Sequence, residues 1–288
     1  MNHSSIIPFY KKCKLCCRIL FNPVLNDDQI YFYCTFCGDY TKWTNKTILH
    51  YNKISYSILE KIIIHYIRNK SVQDTIELLK DNFSTRSLTK NTVVRYFNVF
   101  NKIAIDYYNK KLNSTLLEGS VEIDETFLFK MKKSTAKQRP YTKSLWLFGM
   151  FERESRQFII IPVFSRSETN LLSIILKYIK VGAKIYPDCF STSTYVNNKV
   201  FPKESKLEGY GYHHQWINHK VEFVSKLFKH IHTNNIERLW LTIKTDFRKK
   251  KIKKVTLKHI ARFVFNQTLE EKERLNVIGC GLKERLQK

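Results

Sequence analysis

Two Cys-x-x-Cys pairs, Cys13 with Cys16 and Cys34 with Cys37, constrain this chain more than any other feature, because 17 residues separate them. Two residues between thiolates let one tight turn aim both sulfurs at a single tetrahedral ion. The 17-residue gap is long enough for a hairpin that brings the second pair opposite the first. The intervening residues agree with this: Asn26-Asp27-Asp28 reads as a turn, Gln29 to Tyr33 as a strand, and Gly38 stands where such a knuckle needs a positive φ. Residues from about 10 to 48 therefore read as a zinc ribbon carrying one ion on Cys13, Cys16, Cys34 and Cys37. Four thiolates leave no open position for a substrate, so that ion is structural. Cys17 adjoins Cys16 and competes with it for the ligand position, whereas Cys189 and Cys280 stand alone and read as small buried hydrophobes.

The N-terminal MNHSSIIPFYKKC lacks the charged-then-apolar plan of a secretory signal, so the thiols are expected in a reducing, intracellular compartment. The longest apolar runs, Leu145 to Phe151 and Phe158 to Phe164, fall far short of the ~20 residues of a spanning helix, and no membrane is expected as partner. Charge narrows the class further. Fifty Lys plus Arg against 25 Asp plus Glu leave +25, a like-charge excess that opposes compaction unless a polyanion screens it. That balance speaks against an ordinary enzyme of small metabolites, and 43% hydrophobic residues speak against a disordered basic tail. A folded protein with a polyanionic partner remains.

After the ribbon the apolar spacing changes from period 2 to period 3.6. Ile58, Leu59, Ile62, Ile63, Tyr66 and Ile67 line one helix face, a second helix runs from Val72 to Leu79, and a third from about Lys90 to Lys110. Three helices in this arrangement resemble a helix-turn-helix. The third carries Lys90 and Asn91 at its start and Arg95 on its polar side, as expected of an element whose first residues meet DNA bases. Three short amphipathic helices also serve as plain packing units, and it is the adjoining ribbon and the charge that favour DNA.

Beyond Glu118-Gly119-Ser120 the chain turns strand-rich. Val121 to Phe129, Ser144 to Phe151 and Gln157 to Phe164 read as strands, followed by a helix from about Glu168 to Lys180 and a strand from Ala183 to Tyr186. Gln215 to Asn218 reads as a fifth strand, and a helix runs from about Asn234 to Lys249. A last helix, Leu257 to about Arg274, is expected to bury Ile260, Phe263 and Val264 against this region. The element order is that of a ribonuclease H-like domain, an α/β fold with a mixed sheet. In that fold three places converge: the middle of the first strand, here Asp124; the end of the fourth, here Asp188; and the first turn of the late helix, here Glu237. Asp124 on an apolar strand is hard to explain structurally, because an unpaired buried carboxylate costs several kcal/mol. Three carboxylates so close either take raised pKa values or are neutralised by divalent cations, and two magnesium or manganese ions suit hard oxygen ligands and phosphodiester chemistry. Glu122 shares the strand face of Asp124 and reads as an ion-paired neighbour, with support of the metal ligands from behind as the alternative.

The stretch Val-Glu-Ile-Asp-Glu-Thr (121–126), then Ile185-Tyr186-Pro187-Asp188, then His232-Thr233-Asn234-Asn235-Ile236-Glu237-Arg238-Leu239-Trp240 with Lys244, resembles the DDE transposases of ISXO-like bacterial insertion sequences and their Merlin-type eukaryotic relatives. The resemblance spans nearly the whole chain. It implies a zinc ribbon over 1–50, a helix-turn-helix-like domain over 51–117 and a ribonuclease H-like catalytic domain over 118–288. It implies metal ligation by Asp124, Asp188 and Glu237. Some members use an Asn of the His-Thr-Asn segment instead of the Glu, here Asn234, though Glu237 brings the full charge. The relatives often carry glycines where this chain has Phe127-Leu128-Phe129, and many have Gly where Cys189 stands.

Lys244 follows Glu237 by seven residues, so at ~100° per residue the two lie within about 20° on one helix face. A cation there suits a DNA phosphate beside the metals. His219 and His232 match family positions and are candidates for phosphate contacts. Arg248, Lys249, Lys250, Lys251, Lys253 and Lys254 form a basic run suited to the DNA backbone, or to nuclear targeting in a eukaryotic host. The expected function is cut-and-paste transposition on double-stranded DNA by a homodimer or larger assembly, located in the nucleus of a eukaryote or the cytoplasm of a bacterium. A domesticated, inactive DNA-binding descendant and a stand-alone nuclease of the same fold are the rival readings.

Overall fold

Residues 10–21, 23–26, 28–44, 54–82, 88–135, 138–187, 206–214 and 233–284 are described by a computed structural model of the chain. The first elements are β1 (Lys11–Lys12), β2 (Ile19–Leu20), β3 (Pro23–Asn26), β4 (Gln29–Tyr33), β5 (Tyr40–Lys42), α1 (Tyr56–Ile67), α2 (Val72–Asn82) and α3 (Lys90–Ser114). Next come β6 (Ser120–Thr135), β7 (Gln138–Glu152), β8 (Phe158–Val163), α4 (Glu168–Tyr178), β9 (Lys184–Pro187), α5 (Lys206–Gly209) and β10 (His213–His214). Three helices close the chain: α6 (Asn234–Lys249), α7 (Leu257–Thr268) and α8 (Glu271–Glu284). They fall into two compact units, one of residues 1–110 with 256–288 and the other of residues 111–255.

In the first unit β1 pairs with β2, and β3, β4 and β5 form an antiparallel sheet. Alternation along β4 buries Ile30 and Phe32 on one face, toward the helices. Helix α1 starts at Ser55, whose hydroxyl accepts from the Ile58 amide at 3.3 Å, and it buries the apolar stripe that its periodicity marks out. The Tyr56 amide donates to the Asp28 carbonyl at 2.8 Å and the Ser57 hydroxyl to the Asp28 carboxylate at 2.6 Å. Ribbon and helices thus share one core, in which Phe32 and Trp43 join Leu59, Ile62 and Phe100. The sequence boundary near residue 50 is a change of secondary structure rather than of core.

The end of the chain differs from expectation in two ways. The single helix expected from Leu257 is two, because Leu269 is extended (φ −118°, ψ 145°) and the Glu273 carboxylate accepts the Glu270 amide at 2.8 Å to start α8. Both belong with the first unit, not with the region from 118 onward. Phe265, Ile278 and Leu282 are fully buried in its core. Arg262 donates to the carbonyls of Tyr66 (3.2 Å) and Lys70 (2.9 Å) at the end of α1 and lies over the Tyr66 ring at 4.2 Å. Helix periodicity reports an apolar face but not the partner that covers it, which is why sequence assigned these helices to their chain neighbours.

In the second unit the sheet order is β10-β9-β6-β7-β8. β6, β7 and β8 run antiparallel in succession, while β9 lies parallel to β6 and β10 parallel to β9. The β6–β7 hairpin reaches to Thr135 and Gln138, longer than apolar alternation alone indicates. The expected fifth strand at Gln215 to Asn218 lies outside the described residues. Val121, Ile123, Phe148, Met150 and Ile159 share a core with Leu171 and Ile175 of α4 on one sheet face. Strand alternation sends Glu122, Asp124 and Gly149 to the other face, where α6 lies.

Candidate metal centres

The sulfurs of Cys13, Cys16, Cys34 and Cys37 all lie within 4.8 Å of one another. The Cys13–Cys37 and Cys16–Cys34 separations are 3.5 Å each. A tetrahedral zinc with bonds of about 2.3 Å sets its sulfurs about 3.8 Å apart, so the group fits that ion. Each pair sits on the same turn: Cys17 N donates to Cys13 O (3.1 Å) as Gly38 N does to Cys34 O (2.8 Å). Cys17 (φ 59°) and Gly38 (φ 72°) both occupy the left-handed region that closes the turn. This settles the ambiguity at Cys17: it is the exposed knuckle residue, and Cys16 is the group's fourth sulfur, while Cys280, expected to be buried, is exposed on α8. Asp39 braces the site, accepting from the Thr41 hydroxyl at 3.0 Å and pairing with Lys14 at 3.0 Å.

The knuckles also divide the thiols electrostatically. Donation by the Cys16 amide holds the Cys13 thiol down to about 6, and the Cys37 amide holds Cys34 down in the same way. Cys37 has the opposing help of the Asp39 amide, yet desolvation and the neighbouring sulfurs push it up to about 12. Cys16 is likewise raised, against donation from Arg18, by burial and by Cys34 and Cys13.

The second centre forms where α6 meets β6 and β7. Glu122 has no exposed surface, and its carboxylate is filled by donors: Arg153 Nε at 2.7 Å and Asn235 Nδ2 at 2.8 Å on Oε1, the Asn235 and Ile236 amides at 2.9 and 3.0 Å on Oε2. Those two amides belong to the first turn of α6, where the helix itself offers them no carbonyl. Glu122 therefore caps a helix that begins more than 110 residues later, and its charge suits the positive helix end. Thr233, at the N-cap, makes no side-chain cap bond to α6; its hydroxyl donates to Glu237 Oε1 at 3.1 Å.

One turn beyond Glu237, Trp240 Nε1 donates to Asp124 Oδ2 at 2.8 Å. The ring lies against Gly149, which pairs with Asp124 across the β6–β7 ladder. A Cβ at Gly149 would stand 2.4 Å from Trp240 Cη2 and 2.8 Å from Ile236 Cδ1, so only glycine admits the helix at this depth. Asp124 is half-buried and Glu237 exposed. On the far side of β6, Glu122 pairs with Tyr186 and Ile123 with Pro187, and the Arg153 guanidinium lies 4.1 Å from the Tyr186 ring centre.

The structure thus joins the strand of Asp124 to the helix of Glu237, Asn234 and Lys244. Asp188, next after Pro187 in sequence, lies outside the described residues, as do His219 and His232. Lys90, Asn91 and Arg95 are exposed along the first turns of α3, and Arg248, Lys249, Lys251, Lys253 and Lys254 are exposed at the end of α6 and after it. Lys250 departs from that run: it pairs with Asp246 at 2.8 Å with a side chain only 13% exposed. Sequence reasoning gave Glu122 its ion pair but not the cap, and it passed over Trp240, Thr233 and Gly149. A lone glycine inside the apolar run Leu145 to Phe151 is a signal of close approach that could have found the last.

Among comparisons with known proteins, the family described as ISXO2-like transposase domain matches residues 116–267, which is 152 of the 288 residues. No curated protein matches the chain.

Proposed function

Because the chain belongs to the ISXO2-like transposase domain family, we propose that it binds the terminal inverted repeats of a DNA element and moves that element by cut-and-paste strand cleavage and strand transfer. The observation that carries this reading is the direct seating of α6 on β6, which brings the helix of Glu237 against the strand of Asp124. The sheet supports a ribonuclease H-like fold, since an antiparallel meander is extended by parallel strands beyond its first strand.

In this reading Asp124, Asp188 and Glu237 hold two magnesium or manganese ions, with Asn234 the alternative to Glu237. The donor set is of hard oxygens, and Glu122 is excluded from it because four donors already occupy its carboxylate. When bound, such ions supply the Lewis acidity that activates an attacking oxygen and stabilises the leaving oxygen of a phosphodiester. The chain's own part is positional. Lys244, exposed two turns beyond Glu237, holds a phosphate; Thr233 orients Glu237; and Lys90, Asn91, Arg95 and the exposed cations from Arg248 to Lys254 bind DNA, with His219 and His232 as further contacts. The four-cysteine group holds one structural zinc and stiffens a ribbon that reads DNA together with the helix-turn-helix-like helices. Joining two element ends in one event calls for a dimer or larger assembly on DNA. No described helix is long and apolar enough to cross a membrane, and the substrate places the protein in the nucleus or bacterial cytoplasm.

Strand transfer with the element's own ends in magnesium, wild type beside Asp124→Asn, tests the reading; equal activity in the two would sink it. For the ribbon, one zinc per chain is expected by elemental analysis, and a Cys34→Ser protein that retained it would refute the assignment.

A further inference from the structure

Among the contacts of helix α6 with the sheet, two polar grips and one notch have a common effect. Glu122 grips the helix at its first turn through the amides of Asn235 and Ile236. Trp240 grips the sheet one turn later through Asp124, at 2.8 Å. Gly149 provides the space in which the indole lies. Glu237 sits between the two grips in sequence. A side chain held only by its own backbone would wander with every tilt of the helix. Here rotation of α6 about its axis breaks the indole bond, and sliding along the axis breaks the cap.

The polar groups involved cost too much to be incidental packing. Glu122 is a carboxylate with no exposed surface, and burying that charge is tolerable only because Arg153 and three N–H donors meet it. A helix of this length can be capped more cheaply by its own Thr233, which is instead turned to Glu237. The indole N–H could face solvent or a carbonyl, yet it is spent on a carboxylate, and a donor so placed fixes the orientation of that group.

We infer that Glu122 and Trp240 are positioning residues of the acidic site, a two-point clamp that sets Glu237 and the carboxylate of Asp124 in register for divalent cations. The inference rests on the reading of Asp124 and Glu237 as metal ligands. It adds a role for two residues that touch neither metal nor DNA.

The mild variant is Trp240→Phe, which keeps the ring against Gly149 and removes only the N–H. Manganese binding to the full-length, zinc-loaded protein, followed by electron paramagnetic resonance, gives a readout independent of turnover. The expected result is an unchanged melting temperature within a few degrees, manganese affinity weakened roughly 10-fold, and strand transfer restored at high manganese, so that the metal requirement rises while the saturated rate stays near wild type. Glu122→Gln should leave the sheet intact but speed amide exchange at Asn235 and Ile236, with the same loss of metal affinity. If that variant does not fold, Trp240→Phe alone decides. Manganese affinity and metal dependence equal to wild type in Trp240→Phe would overturn the clamp while leaving the acidic site standing. Equal manganese stoichiometry in wild type and Asp124→Asn would overturn the site and the clamp together.

Discussion

The four-cysteine group draws its sulfurs from positions 24 apart at most, whereas the acidic region joins Glu122 to Asn235 across 113 positions. The cores around them show the reverse. The unit with the cysteines is closed by helices from the far end of the chain, and the unit with the acidic centre is a single run from 111 to 255. A centre assembled by two adjacent turns can sit in a core of any connectivity, since its geometry is fixed before the core closes. A centre assembled by a helix docking on a sheet inherits its geometry from that docking, so it belongs in a run of chain that can fold without outside help.

The strongest way to break this contrast is to end the chain after Val255. That removes Phe265, Ile278 and Leu282 from the first core, at about 1.5–3 kcal/mol for each fully buried side chain, together comparable with the lower part of the ~5–15 kcal/mol stability of an ordinary domain. Limited proteolysis should then digest the described elements of the first unit faster than those of the second. Survival of both units would show that the shared core is not cooperative.

A smaller blow falls on the acidic centre alone. Gly149→Ala drives a methyl group into Trp240 and Ile236, an overpacking cost of about 1–3 kcal/mol. Because α6 must lift to relieve it, strand transfer should fall by far more than the change in melting temperature implies, while zinc content stays at one per chain. Loss of zinc in this variant would contradict the independence of the two centres.

Proton release distinguishes the centres further. Protons compete with the ion for sulfur, so zinc affinity should weaken as pH falls. Cys13, held down to about 6, is already largely thiolate near neutral pH, so loading the group there should release fewer than four protons, measurable by calorimetry in buffers of different ionisation enthalpy. Release of four would mean that the knuckle amides do not hold thiolates in the metal-free protein. The smallest effect is local: Cys17→Gly relieves a left-handed residue and should stabilise the ribbon by about 1 kcal/mol, with metal content unchanged. A drop in zinc content would restore Cys17 as a ligand.

Much of this was legible from residues alone. The spacing of the four cysteines marks their grouping, and the apolar periodicity from Asn234 to Lys249 marks the helix that forms there. Both are signals carried within a few turns of chain. Gly38 announced its knuckle, but Cys17 did not, because a left-handed cysteine looks like any other in sequence. The cap by Glu122 and the indole bond to Asp124 were not legible, since a strand acid and a helix tryptophan carry no mark of the partner that tertiary packing assigns them. The C-terminal helices fall in the same class: their apolar faces were visible and their destination was not.

The split first unit also sets a schedule. As the chain leaves the ribosome, everything needed for the sheet, α4 and α6 is present by Val255, while the unit with the cysteines still lacks α7 and α8. Synthesis therefore finishes the cutting half before the half that recognises where to cut in the proposed function. A chain stopped before α7 and α8 would leave the core of its first unit open, a reason for such truncations to be cleared quickly by cellular proteases.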